Sequence, residues 1–119
     1  MKINKDIVPS TVEKAVDLIV DALAEEDINY IKQHSSESIH LTIGQYIRNS
    51  WSLWYQDTPL KRDAVHTYKI AHADDISGLI FEWVWHKVLE KEFDPIKHCE
   101  IFHKHWAQYS TTALKAGGW

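Results

Sequence analysis

Apolar residues recur along this chain at three- and four-residue intervals rather than alternately, which is the period of a helix face and not of a strand. Val12, Ala15, Val16, Ile19, Val20 and Leu23 share one stripe, while Glu13, Lys14, Asp17 and Asp21 fall mostly opposite it. A first helix is therefore expected over Thr11 to Ala24. Its start is Pro9-Ser10-Thr11-Val12-Glu13, where Ser10 is expected to cap and Glu13 to reach back in a capping box. Glu25-Glu26-Asp27 opens a short second helix through Ile28, Tyr30 and Ile31, because acids stabilise a helix N-terminus, and His34-Ser35-Ser36 ends it. A third, capped by Ser36 or Ser38, carries Ile39, Ile43, Tyr46, Ile47 and Trp54 on one stripe, with Gly44 as its weak point. Gln45, Arg48 and Asn49 form its polar side.

Asp57-Thr58-Pro59 reads as a turn that restarts a helix, with Leu60, Ala64 and Val65 facing the core. The strongest pattern follows His72-Ala73-Asp74-Asp75. There Ile76, Leu79, Ile80, Trp83, Val84 and Val88 form a stripe that Phe81 and Trp85 widen, and Asp74 stands where an N-cap is wanted. A helix apolar over so much of its circumference belongs in the middle of a bundle. Phe93-Asp94-Pro95 starts a last helix with Cys99, Phe102, Trp106 and Tyr109 on one side. The expected architecture is all-α, a compact single-domain bundle of about five or six helices over residues 1–119. Its ordered core spans 9–110 and a frayed tail 111–119.

Composition supports a globular reading: 119 residues, 45% hydrophobic and 25% charged, suffice for one core without staples. The net charge of −4 lies wholly in the first third, since residues 1–40 hold four lysines against eight acids and the remainder is balanced. Without a basic patch to neutralise phosphates, direct nucleic-acid binding is disfavoured. No apolar run reaches membrane-spanning length and Met1 to Asp6 lacks a signal-like run, so a cytoplasmic chain with no membrane association is expected. The single cysteine, Cys99, is expected as a buried thiol in a reducing compartment.

Eight histidines invite a metal hypothesis, yet His98, His103 and His105 are spaced by five and two. Ligands on one helix face need three or four. His72 with Asp74 and Asp75 has the ingredients of an acid–base or metal cluster, but capping is the better reading of Asp74. Cys99 and His98, being adjacent, point about 100° apart on a helix. The four glycines, Gly44, Gly78, Gly117 and Gly118, make no phosphate loop, nucleophile elbow or dinucleotide fingerprint. No catalytic residue, metal or cofactor is expected, and the chain is read as a non-enzyme.

Two surfaces stand out instead. Arg48-Asn49-Ser50-Trp51-Ser52-Leu53-Trp54 joins a fork-shaped donor, an amide and two large aromatics, types enriched among binding hot spots. The alternative is structural: Trp51 and Trp54 pack as one ridge while Arg48 and Asn49 bond loop carbonyls or the Asp74–Asp75 pair. The acidic set Asp17, Asp21, Glu25, Glu26 and Asp27 covers about three turns and suits steering toward a basic partner.

The segments Ile47 to Trp54, of pattern I-R-N-x-W-x-L-W, and His72 to Ser77, of pattern H-x-D-D-[MI]-S, together resemble a poorly characterised bacterial domain family of unknown function. Pro9 to Val16 is similar to that family's first helix, so the resemblance runs from about residue 9 to 89. It implies a small helical, non-enzymatic domain, with Arg48, Asn49, Trp51, Trp54, His72, Asp74, Asp75 and Ser77 as its motif residues. Some members resemble the immunity partners of bacterial toxins. Ile76 stands where methionine is more usual, and Tyr55 to Ala71 is a long stretch between the two motifs.

The function expected is thus an immunity protein or antitoxin that occludes a toxin, a basic nuclease for instance, with the acidic residues as its binding set. The alternatives are a hydrolase whose metal sits among His72, Asp74, Asp75 and a histidine of the last helix, and a module that self-associates through exposed tryptophans.

Overall fold

The computed structural model describes residues 7–34, 45–51 and 57–115, and among them all regular structure is helical. The fold is all-α. Helix α1 spans Val12–Ala22 and α2 Glu25–Gln33. The cap of α1 is one residue later than Ser10: Thr11 Oγ1 accepts the Lys14 N–H at 3.1 Å. The Val12 N–H donates at 2.8 Å to Asp63 Oδ2, 51 residues away. A carboxylate reaching across the fold thus takes one orphan amide of the first turn, and exposed Glu13 makes no capping box with Ser10. Helix α1 ends before Ala24 because Ala24 is extended, its N–H held by Asp27 Oδ2 at 2.9 Å to open α2.

Helix α3, Gln45–Ser50, is the described part of the third predicted helix, and it buries Ile47 and, just beyond its end, Trp51. Ser36, Ser38, Ile39, Ile43, Gly44 and Trp54 lie outside the described residues. Helix α4, Pro59–Asp63, starts as expected, with proline in its first turn and Thr58 Oγ1 accepting the Lys61 N–H at 3.3 Å. It then widens into a π-helical turn, Ala64–Tyr68, closed by Lys69 in the left-handed region at φ 59°. Widening carries the inward stripe from Leu60 and Ala64 to Tyr68 and turns Val65 outward, 44% exposed, against the expectation that Val65 is core.

Helix α5, Ala73–Val88, is the central one, packing against α1, α2, α3 and the later α6. Its buried Ile76, Leu79, Ile80 and Val84 meet Val12, Ala15, Val16 and Ile19 of α1, together with Ile47, Trp51 and Leu60. A satellite cluster joins Phe81 to Ile31 of α2, flanked by Leu23, Trp85 and Val88. Burying a side chain of this size contributes about 1.5–3 kcal/mol, so the α1–α5 contact dominates the fold. The α5 cap is His72, not Asp74: His72 Nδ1 accepts the Asp74 N–H at 3.1 Å. Because the helix begins at Ala73, Asp74 is already in its first turn and its carboxylate is turned elsewhere.

The last predicted helix is two. Helix α6, Pro95–His98, is capped by Asp94 Oδ1 on the Lys97 N–H at 3.1 Å, and α7, Glu100–Lys115, follows after buried Cys99. The expected stripe fades along α7: Phe102 packs on the core, but Trp106 is 42% exposed. The helix leaves the bundle as it proceeds.

Candidate functional site

The two motif segments meet where α3 ends and α5 begins. Arg48 is only 19% exposed, and its Nη1 donates to Ser77 Oγ at 3.1 Å. Its Nε lies 3.3 Å from Asp74 Oδ1, a charge contact without hydrogen-bond alignment. The hydroxyl of buried Ser77 donates in turn to the Asp74 carbonyl at 3.1 Å. This is the structural reading of Arg48, which reaches one member of the Asp74–Asp75 pair. Asn49 is exposed, and Trp54 is outside the described residues. Trp51 is 1% exposed with no hydrogen-bond partner for its N–H, which makes it a core residue rather than a surface anchor. Chemically the cluster is a static clasp between two helices: each Ser77 bond runs to a guanidinium or a carbonyl, and none to a general base.

His72 and Asp75 face the other way, toward α7. The indole N–H of Trp106 donates to Asp75 Oδ2 at 2.7 Å, and the Trp106 and His72 rings lie 5.5 Å apart. His103 Nε2 is bonded to the Tyr68 carbonyl at 2.9 Å, while His98 packs between Phe93 and Phe102. Among the described residues no group of three or more His, Cys, Asp and Glu side chains is placed to hold a metal ion.

Of the acidic set, Asp17, Asp21, Glu25 and Glu26 are exposed along one edge of α1 and α2. Asp17 is paired with Lys87 at 2.7 Å, and Asp27 is committed to the Ala24 amide. Asp21, Glu25 and Glu26 pair with no cation among the described residues.

Burial pushes the Cys99 thiol up to about 11, with a smaller push from the Asp75 charge, so the thiol is protonated and shielded. Tyr68 is raised to about 12, chiefly by burial and then by the charges of Asp63 and Glu13.

Hollows open on the surface, and two are lined by described residues. One, of about 430 Å³, lies beside Phe93, His86 and His98. The other, of about 480 Å³, is lined by Lys69, Ile70, Ala71, His72 and Trp106. The sequence reading found His72 but missed Lys69 and Trp106 as its neighbours, because only the break at Cys99 aims α7 at the 69–72 turn. Asp63, which anchors α1, was likewise invisible: nothing local marks a carboxylate that caps a helix 51 positions upstream.

No curated protein and no solved structure matches this chain. Among the described residues no helix is long and apolar enough to cross a membrane. The family model described as Domain of unknown function (DUF6794) matches residues 8–88, from the approach to α1 to the last residue of α5, and leaves α6 and α7 outside. With well over half of its 119 residues matched, the chain belongs to this family of domains of unknown function.

Proposed function

We propose that this domain is a non-enzymatic binding protein that takes a basic protein partner along the α1–α2 edge, as an immunity protein occludes a toxin such as a nuclease. The observation that carries the reading is the trio Asp21, Glu25 and Glu26, exposed and without cation partners among the described residues. Unneutralised like charges on one edge raise association rates with an oppositely charged surface. They also resemble, to a nuclease, the phosphates its site is built to hold.

The test begins with capture of the tagged chain's stoichiometric partner from its native host. Association is then followed by stopped flow for the wild type and for the triple reversal Asp21→Lys, Glu25→Lys, Glu26→Lys. Asp27 is left intact, because its carboxylate holds the Ala24 amide and its reversal would confound charge with helix capping. The expected result is an association rate reduced at least about tenfold at low salt, converging with wild type at high salt, and a dissociation rate changed far less. Unchanged low-salt association would remove this edge as the docking face. A partner that proves acidic would remove the reading altogether.

A further inference from the structure

The hollow between the Lys69–His72 turn and α7 has features that neither the helix clasp nor the acidic edge explains. Its volume of about 480 Å³ falls within the range of small-molecule sites. Two aromatic rings wall it, His72 and Trp106, with centroids 5.5 Å apart and planes tilted by 31°. Each ring is held by a nitrogen, His72 through the Asp74 amide and Trp106 through Asp75, so both are oriented before any ligand arrives. Preorganised aromatic surfaces lose little freedom on binding.

Among the described residues, Lys69 is the one charged residue lining the hollow. Asp74 and Asp75 flank it, but Arg48 and the Trp106 N–H engage them. The backbone at Lys69 sits at φ 59°, where glycine is favoured and a lysine costs about 1 kcal/mol. The π-helical turn is closed by backbone bonds, the Lys69 N–H on the Ala64 and Val65 carbonyls and the Ile70 N–H on the Ala64 carbonyl, which a glycine at position 69 would allow equally well. What lysine adds is an ammonium. One of its three N–H groups goes to the His66 carbonyl at 2.8 Å, and the other two have no acceptor among the described residues. π-helical turns and left-handed non-glycine residues both concentrate at functional positions, and here they adjoin the hollow.

We propose that this hollow binds a small planar aromatic carboxylate, its ring laid against the Trp106 indole beside His72 and its carboxylate on the Lys69 ammonium. The site is separate from the α1–α2 edge and stands or falls independently of it.

Benzoate is the probe, with benzamide as the ring without the charge and cyclohexanecarboxylate as the charge without the flat ring. Each is titrated to about 10 mM into the full chain by saturation-transfer NMR and calorimetry. Wild type is compared with Lys69→Gly and Trp106→Leu. The expected result is saturable benzoate binding with Kd on the order of 1 mM or tighter, as suits so small a ligand, and both controls at least about tenfold weaker. Lys69→Gly, which suits the left-handed backbone, keeps or raises the melting temperature while weakening benzoate at least about tenfold, and Trp106→Leu abolishes binding. Absence of saturable benzoate binding to wild type overturns the proposal. So does undiminished binding to Lys69→Gly, and so does benzamide binding as tightly as benzoate. Lys69→Gly decides the matter even if Trp106→Leu does not fold.

Discussion

Arg48 reaches two groups near the start of the neighbouring helix, donating a hydrogen bond to the Ser77 hydroxyl and making a charge contact with the Asp74 carboxylate. Asp74 is itself 58% exposed, so its pairing with the guanidinium is screened and worth little alone. The Ser77 bond is better protected: without Arg48 the buried hydroxyl keeps only its bond to the Asp74 carbonyl, and without Ser77 a mostly buried guanidinium loses its hydrogen-bond acceptor. Urea unfolding should therefore show Arg48→Ala destabilised by about 1–3 kcal/mol and Asp74→Ala by less than about 1 kcal/mol. A double-mutant cycle should assign more coupling to Arg48–Ser77 than to Arg48–Asp74. Greater coupling to Asp74 than to Ser77 would mean that the charge, not the hydroxyl, holds the clasp. Sequence reasoning came close here, because Arg48 has few uses on a polar helix face other than to reach a carboxylate. It did not find Ser77, whose burial follows from the close approach of α3 to α5.

At the scale of elements, the helices were legible and their ends were not. Periodicity located α1, α2, α5 and the start of α4, since an apolar stripe is a property of many residues at once. A cap is decided by a single acceptor, and several neighbouring side chains can supply it: Thr11 takes the Lys14 amide one residue after Ser10, and His72 takes the Asp74 amide two residues before the expected cap. The register of α1 has a direct check. Thr11→Ala should cost about 1 kcal/mol and Ser10→Ala close to nothing in chemical denaturation, because of these two side chains it is Thr11 that holds a first-turn amide. The reverse order would restore the capping box centred on Ser10. The split of the last helix at Cys99 was missed for a related reason: a stripe at i, i+3 and i+7 continues smoothly through a one-residue break.

In the whole molecule, α6 and α7 lie beyond the matched 8–88 region yet lend Cys99 and Phe102 to the same core. That shared burial has a signature in alkali. The Cys99 thiol ordinarily ionises near 9.0 and the Tyr68 phenol near 10.0, and folding raises them to about 11 and about 12. Both groups are neutral when protonated, so the folded state holds protons that the unfolded chain has released. Their contribution to stability is complete below pH 9 and is lost as pH climbs through the folded values. Stability from urea titrations should accordingly fall between about pH 9 and 12, and Cys99→Ala should flatten the slope between about 9 and 11 while leaving the loss due to Tyr68 between about 10 and 12. An identical slope without the thiol would place the ionisation elsewhere. None of this was visible in sequence beyond the expectation that Cys99 is buried, because the shift depends on how completely α6 closes over it.

The π-helical turn at Ala64–Tyr68 holds one residue more than an α-helix would use for the same advance. It therefore acts as a phase shifter: the chain on either side keeps its place, and the surplus residue is absorbed locally. A family member one residue shorter between Pro59 and Ile70 is expected to run as plain α-helix there, with the same core facing. It would lose the left-handed position now held by Lys69. Chain length in this short window, more than the identity of any side chain in it, would then tell which members of the family carry the ammonium beside His72.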